Sequence, residues 1–270
     1  MGFMGLAVVG ILLAALAIAA LIMIICYVLA IVLGMKGHKI AAVVFTSIGT
    51  VILAGLVTVG ILVFMPKNIT IQKPDGSEFK IIETEAYAFS NAITNKDIEA
   101  VQSLLGKYPD LVYYKGINGQ CAADEASTTL DIGLTRIILD HGGQFDGEFE
   151  HRDSIYNYSL EYFFSTVMGV RSSKEINDMV KFMLDNGAQV NFEDKSHPNA
   201  LFRAVWYIVA DGSVDDTDIE LLQMLIDHGA SISEKSTDYY PKEFLEMVAE
   251  QYGISDGDQG YEKAKQVLTR

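Results

Sequence analysis

The first 65 residues contain no aspartate, glutamate or arginine and only two lysines. Phe3 to Leu33 is an unbroken apolar run, Lys36-Gly37-His38-Lys39 interrupts it, and a second run from Ile40 to Met65 ends at Pro66-Lys67. A bilayer core is crossed by roughly 20 apolar residues in a helix, and both runs exceed that. Lipid offers a bare backbone no hydrogen-bond partner, so only helices and closed barrels span it. The expectation is a transmembrane helical hairpin over residues 1–65, with spans at 3–33 and 40–65. A cleaved signal peptide fits the first run poorly. No basic segment precedes it, it is about twice the usual 7–15-residue apolar core, and a second span follows.

All 35 Asp and Glu lie after residue 65, with 18 of the 20 Lys and Arg, so residues 66–270 carry a net −17. About 200 residues is enough for one domain with a real core. That charge repels nucleic-acid phosphates and disfavours an anionic lipid surface. It suits a basic protein partner, or serves solubility alone. Cys26 falls in the first span and Cys121 in the acidic part, so no disulfide is expected.

Two spans place both flanks on one side of the membrane. Lys36 and Lys39 mark the loop as cytoplasmic by the positive-inside tendency, which puts the acidic domain outside. Lys67, Lys73 and Lys80 oppose this, and a cytoplasmic domain is the alternative. Ala15, Ala17 and Ala19, with Gly49, Gly55 and Gly60 opposite, would let the two helices approach closely. Neither run holds an Asp, Glu or Arg, so an anchor is expected rather than an ion path.

Beyond the spans, Ile69-Thr70-Ile71-Gln72-Lys73 and Glu78-Phe79-Lys80-Ile81-Ile82 alternate around Pro74-Asp75-Gly76-Ser77. This predicts a β-hairpin, a stalk or an N-terminal cover, within residues 66–84. From Ala86 onward the pattern is helical and repeats. Ile138 to Asp146, Met183 to Asn191 and Leu225 to Ser233 each read as two apolar residues, Asp, His or Asn, Gly, a small residue, a polar one, an apolar one and a polar one. The glycine is suited to the left-handed position that ends a helix. Gly142, Gly187 and Gly229 stand 45 and 42 residues apart, a period that points to a stacked helical solenoid.

These endings resemble the ankyrin repeat, whose outer helix closes with Leu-Leu-x-x-Gly-Ala-x-x-Asn. Gly143 stands in the alanine slot of the first. Of the family's Thr-Pro-Leu-His-x-Ala opening, Asn199-Ala200-Leu201-Phe202-Arg203-Ala204 keeps the leucine and alanine. Ser90 to Leu105 resembles a degenerate first repeat. The resemblance implies an all-α, ankyrin-type solenoid of about 4–5 repeats, with the repeats at 85–235. Residues 236–270, with helices at Pro241 to Tyr252 and Tyr261 to Leu268, read as a divergent C-terminal repeat or cap.

No catalytic, metal or cofactor constellation emerges from the residues. His141 and His228 occupy equivalent slots, where a ring can meet terminal helix carbonyls. Asp215-Asp216-Thr217-Asp218 lacks the Gly and Glu of a calcium loop, and Thr217 or Asp218 as a helix cap explains it. Cys121 is expected to pack within a repeat. The resemblance implies binding through finger tips and the inner-helix face. The finger candidates are Tyr113, Tyr114 and Asn118; Glu148, Glu150, His151 and Asp153; and Glu193, Asp194 and Lys195. Tyr156, Tyr162, Phe202, Trp206 and Tyr207 are aromatic candidates near the inner helices, of the types enriched in binding hot spots. The leading expectation is a non-catalytic, membrane-anchored module for a protein partner, with no cofactor and no nucleic acid. An immunity or antitoxin-like protein that neutralises a basic toxin is the second reading, and an enzyme or metal-dependent receptor the third.

Overall fold

The computed structural model describes residues 3–64, 67–116, 119–145, 158–168, 173–191, 199–210, 212–235 and 238–269, with side chains in the first two helices from 18 to 56. The chain forms two compact units, Met1–Lys67 and Asn68–Arg270.

In the first unit α1 (Phe3–Met35) and α2 (Lys39–Phe64) fold back on each other through Gly37, at φ 84°. Both are long and apolar enough to cross a membrane, with mean hydropathy 2.9 over Ile18–Met35 and 1.9 over Lys39–Leu56. Large apolar side chains such as Ile31, Met35, Ile40 and Val51 are exposed. Gly49 lets the helices close, because a Cβ there would lie 3.2 Å from the Tyr27 ring. The Tyr27 hydroxyl and Thr50 Oγ1 share a hydrogen bond at 3.1 Å. Gly55 faces open space, so the expected close approach does not extend to it.

The second unit opens with β1 (Asn68–Gln72) and β2 (Glu78–Ile82), antiparallel with Ile71 opposite Phe79. Asp75 closes the turn by accepting from the Ser77 N–H at 2.9 Å and hydroxyl at 2.6 Å. Ile71 and Ile81 are buried in the same core as the helices that follow, so the hairpin covers the first repeat.

Five helix pairs follow: α3 (Glu83–Thr94) and α4 (Ile98–Lys107), α5 (Ala122–Thr128) and α6 (Ile132–Asp140), α7 (Ser159–Val167) and α8 (Lys174–Asp185), α9 (Ala200–Val209) and α10 (Asp216–Asp227), α11 (Pro241–Gln251) and α12 (Gln259–Val267). A 3₁₀ turn, Pro109–Tyr113, separates the first two pairs. The inner row stacks as α3, α5, α7, α9, α11, and in the outer row α8, α10 and α12 stack. The result is an all-α solenoid of ankyrin type.

Helix α8 shows why the sequence folds this way. The Ser173 hydroxyl caps it by accepting from Ile176 N–H at 3.3 Å. Ile176, Met179, Val180, Met183 and Leu184 fall on one buried face, three and four residues apart, while Asp178, Lys181 and Asp185 stay outside. Each such burial stabilises by about 1.5–3 kcal/mol. The helix ends as the motif requires. Gly187 is left-handed at φ 100° and donates to the Leu184 carbonyl, and Ala188 donates to Met183. Gly142 and Gly229 repeat this geometry at φ 96° and 93°.

The shared His or Asn slot has one physical use. His141 Nδ1 lies 2.8 Å from the Ile137 carbonyl, His228 Nδ1 lies 2.8 Å from Met224, and Asn186 Nδ2 donates to Phe182 at 2.7 Å. Each adds a side-chain bond to a carbonyl in the last turn of its helix, and those of Ile137 and Met224 also accept the backbone N–H of the same histidine. His228 Nε2 also reaches Asp185 of the preceding repeat, at 3.3 Å.

Two expectations are refined. The cap of α10 is Asp215 rather than Thr217 or Asp218: it accepts from Thr217 and Asp218 N–H, and Asp218 returns a bond to Asp215 N–H. Cys121 caps α5 in a reciprocal box with Asp124, its sulfur donating to the Gln144 carbonyl at 3.2 Å. Burial pushes this thiol well up, and the neighbouring Asp124 charge adds to the effect. Between the two helices of the C-terminal pair lie left-handed Gly253, at φ 74°, and Gly257, at φ 101°.

Candidate functional site

Each inner helix buries one face and turns another outward. On α3, Glu83, Tyr87, Ser90 and Thr94 are spaced four, three and four residues apart, which makes one stripe. Glu125 of α5 stands across from it. Its Oε1 accepts from Ser90 Oγ at 2.6 Å and from Thr94 Oγ1 at 3.1 Å. Tyr87 donates to Glu83 Oε1 at 3.2 Å. Tyr114 follows the 3₁₀ turn, and the bridge between Lys115 and Cys121 holds it beside the start of α5. It is 8% exposed, and among the described residues its hydroxyl has no hydrogen-bond partner.

Among the described residues no Lys or Arg pairs with Glu83 or Glu125. Burial raises the Glu125 carboxyl above its ordinary range, against the lowering effect of the Ser90 and Thr94 hydrogen bonds. Burial raises the Tyr114 phenol, and Tyr87, Glu125 and Glu83 add to that. The hydrogen bond to Glu83 raises Tyr87.

Further along the row, fully buried Glu161 of α7 pairs with Arg203 of α9, itself 19% exposed, which ties the two inner helices together. Removing either partner would strand a buried charge. At the far end, Phe202 packs edge-on to Phe244 at 5.2 Å, and Phe244 to Trp206 at 6.4 Å. Trp206 Nε1 donates to the Tyr252 hydroxyl at 3.3 Å. Trp206 is 38% and Tyr252 40% exposed, so an aromatic path runs from core to surface. Glu243, Glu246 and Glu250 are exposed on α11.

The sequence candidates divide accordingly. Tyr114 and Trp206 belong to the inner face. Phe202, 1% exposed, presents nothing to a partner, and Tyr207 is buried too. Tyr162 is half-buried. Tyr113 is half-buried, its hydroxyl 3.1 Å from where a Cβ on Gly142 would lie. Asn118, Glu148, Glu150, His151, Asp153, Tyr156, Glu193, Asp194 and Lys195 lie outside the described residues. Sequence reasoning missed Glu83, Tyr87, Ser90 and Glu125. The signal was present, since four polar or aromatic residues recur at helical spacing. Starting the helix at Ala86, three residues late, hid it.

No protein-family model and no curated protein matches the chain. Among the solved structures similar to it in fold are the following two. An ankyrin repeat domain from Acinetobacter baumannii is 18% identical over 68% of this chain and 96% of that one, with a TM-score of 0.35. A chain of the complex between a predatory endopeptidase from Bdellovibrio bacteriovorus and an immunity protein is 14% identical over 67% of this chain and 96% of that one, with a TM-score of 0.38. At these scores the superpositions carry no weight of their own, and the fold rests on the stacked pairs and their endings.

Proposed function

We propose that this chain is a non-catalytic, membrane-anchored module whose inner-helix face binds a basic protein partner. The observation that carries the reading is the start of the inner row, where half-buried Glu83 and Glu125, with no Lys or Arg paired to them among the described residues, stand with Tyr87 and Tyr114, while Trp206 adds an exposed ring further along. Aromatic residues on a preorganised surface supply contact area at low entropic cost, and complementary charge speeds encounter. The net −17 of residues 66–270 supports the basic character of the partner. The same charge supports the narrower reading of an immunity-type protein directed at a basic toxin.

A photo-crosslinking residue at Tyr87 or Trp206, in cells making the full chain, is expected to capture a protein from native membranes, with capture falling at high salt. One at exposed Asp178 on the outer helix α8 is expected to capture none. Equal capture from both faces, or none from either, contradicts the proposal. For the anchor we take α1 and α2 as the spans, with the solenoid outside, on the charge of the short loop. In a background with Cys26 and Cys121 replaced by serine, a cysteine at Ser77 should then react with an impermeant maleimide on intact cells. One at His38 should react only after permeabilisation, and the reverse pattern places the solenoid in the cytoplasm.

A further inference from the structure

We infer that Glu83, Tyr87, Tyr114 and Glu125 form a receptor for a single arginine side chain of the partner. This rests on the protein-binding reading above and names the chemistry of one contact within it.

The site offers more acceptors than the fold uses. Both hydroxyl bonds to Glu125 end on Oε1, and among the described residues Oε2 accepts none. Tyr114 is more than nine-tenths buried, and its hydroxyl likewise has no partner among the described residues. Burial raises this phenol first, and the neighbouring Tyr87, Glu125 and Glu83 add to it, while the Lys115–Cys121 bridge holds Tyr114 beside the start of the helix that carries Glu125. Tyr87 stands at the mouth, 38% exposed, its hydroxyl held by Glu83 at 3.2 Å. A half-buried carboxylate held only by neutral hydroxyl donors lacks a counter-charge for its partial burial. A guanidinium supplies it. Its planar fork can donate to Oε2 and to the Tyr114 oxygen together, while its face lies on the Tyr87 ring. Ser90 and Thr94 then act as positioning residues that fix the Glu125 carboxylate toward the stripe on α3.

The test uses the full chain in neutral-detergent micelles at low salt, with 3-fluorotyrosine in place of tyrosine. The probe is a nine-residue glycine-serine peptide with one central arginine, and the control is the same peptide with neutral citrulline there. The Tyr114 fluorine resonance is expected to shift saturably with the arginine peptide and not with the citrulline one. Glu125→Gln should weaken the arginine peptide at least tenfold, while Glu99→Gln, at an exposed carboxylate on α4, should leave it unchanged. Tyr87→Ser, at the exposed mouth, should also weaken it and serves should Glu125→Gln disturb the fold. Equal response to both peptides, or undiminished binding in both variants, overturns the inference. Should a partner be captured from membranes while the two peptides stay indistinguishable, the protein-binding reading stands and the arginine receptor falls. Specific arginine binding with no partner captured leaves the receptor standing and removes the protein-binding reading.

Discussion

Glu125 is kept at a cost to the fold. Its carboxyl is raised above the ordinary glutamate range because burial disfavours the charged form. The sign follows from linkage. A carboxyl whose folded value is raised binds its proton more tightly in the folded state, so the fold gains nothing from its ionisation and loses stability as pH rises through the folded value. Glu125→Gln removes that loss and keeps an oxygen for Ser90 and Thr94. The variant is therefore expected to melt at or above the wild-type temperature at pH 7, with the difference shrinking as pH falls toward 4.5. A variant less stable at pH 7, by a margin that persists at low pH, would mean that the carboxylate stabilises the fold. The residue's place was only partly legible in sequence, because a glutamate inside a short helix announces neither its burial nor its partners 31 and 35 residues away.

At the scale of elements, close approaches decide how the repeats seat. Gly143 stands where the sibling repeats carry Ala188 and Ala230. A Cβ there would meet Ile138 Cγ2 at 2.7 Å, the Ile138 carbonyl at 2.9 Å and Val112 Cγ2 at 3.1 Å. Gly260, in the first turn of α12, is tighter, because a Cβ would overlap the Val214 carbonyl ahead of α10. Gly143→Ala is expected to cost roughly 1–3 kcal/mol by overpacking, although alanine is native in that slot elsewhere. Gly260→Ala should loosen α12, seen as faster amide exchange there before α8 is affected. Unchanged melting and exchange in both would contradict the packing described. The outer-helix endings were readable because a left-handed turn demands glycine, and three copies share a frame. The inner–outer turns were not readable, because α3 and α5 end on left-handed Lys96 and Leu130, at φ 56° and 59°, which carry no compositional mark. Gly143 was readable as a match to the alanine slot, but only the neighbouring Ile138 and Val112 show why it is glycine.

For the whole molecule, composition carried most of the account. The division between an acid-free apolar segment and an acidic solenoid follows from charge placement alone, and the two units meet between Lys67 and Asn68. The hairpin's role as a cover did not follow, because alternation predicts strands without saying what they rest on. Ile71 and Ile81 in the solenoid core settle that they rest on the first repeat. The partner-facing surface was legible in kind, as aromatic and acidic side chains, and illegible in detail, because core and surface aromatics share the same helical spacing. Phe202 and Trp206, four residues apart on α9, ended on opposite sides of that division. The central claim is a membrane anchor joined to a solenoid that folds by itself, and carbonate extraction with a matched truncation tests it most directly. The full chain should remain in the membrane pellet after carbonate washing, and residues 68–270 alone should be monodisperse, helical and cooperative in melting. A full chain that dissolves without detergent, together with a truncated chain that aggregates, would contradict the account.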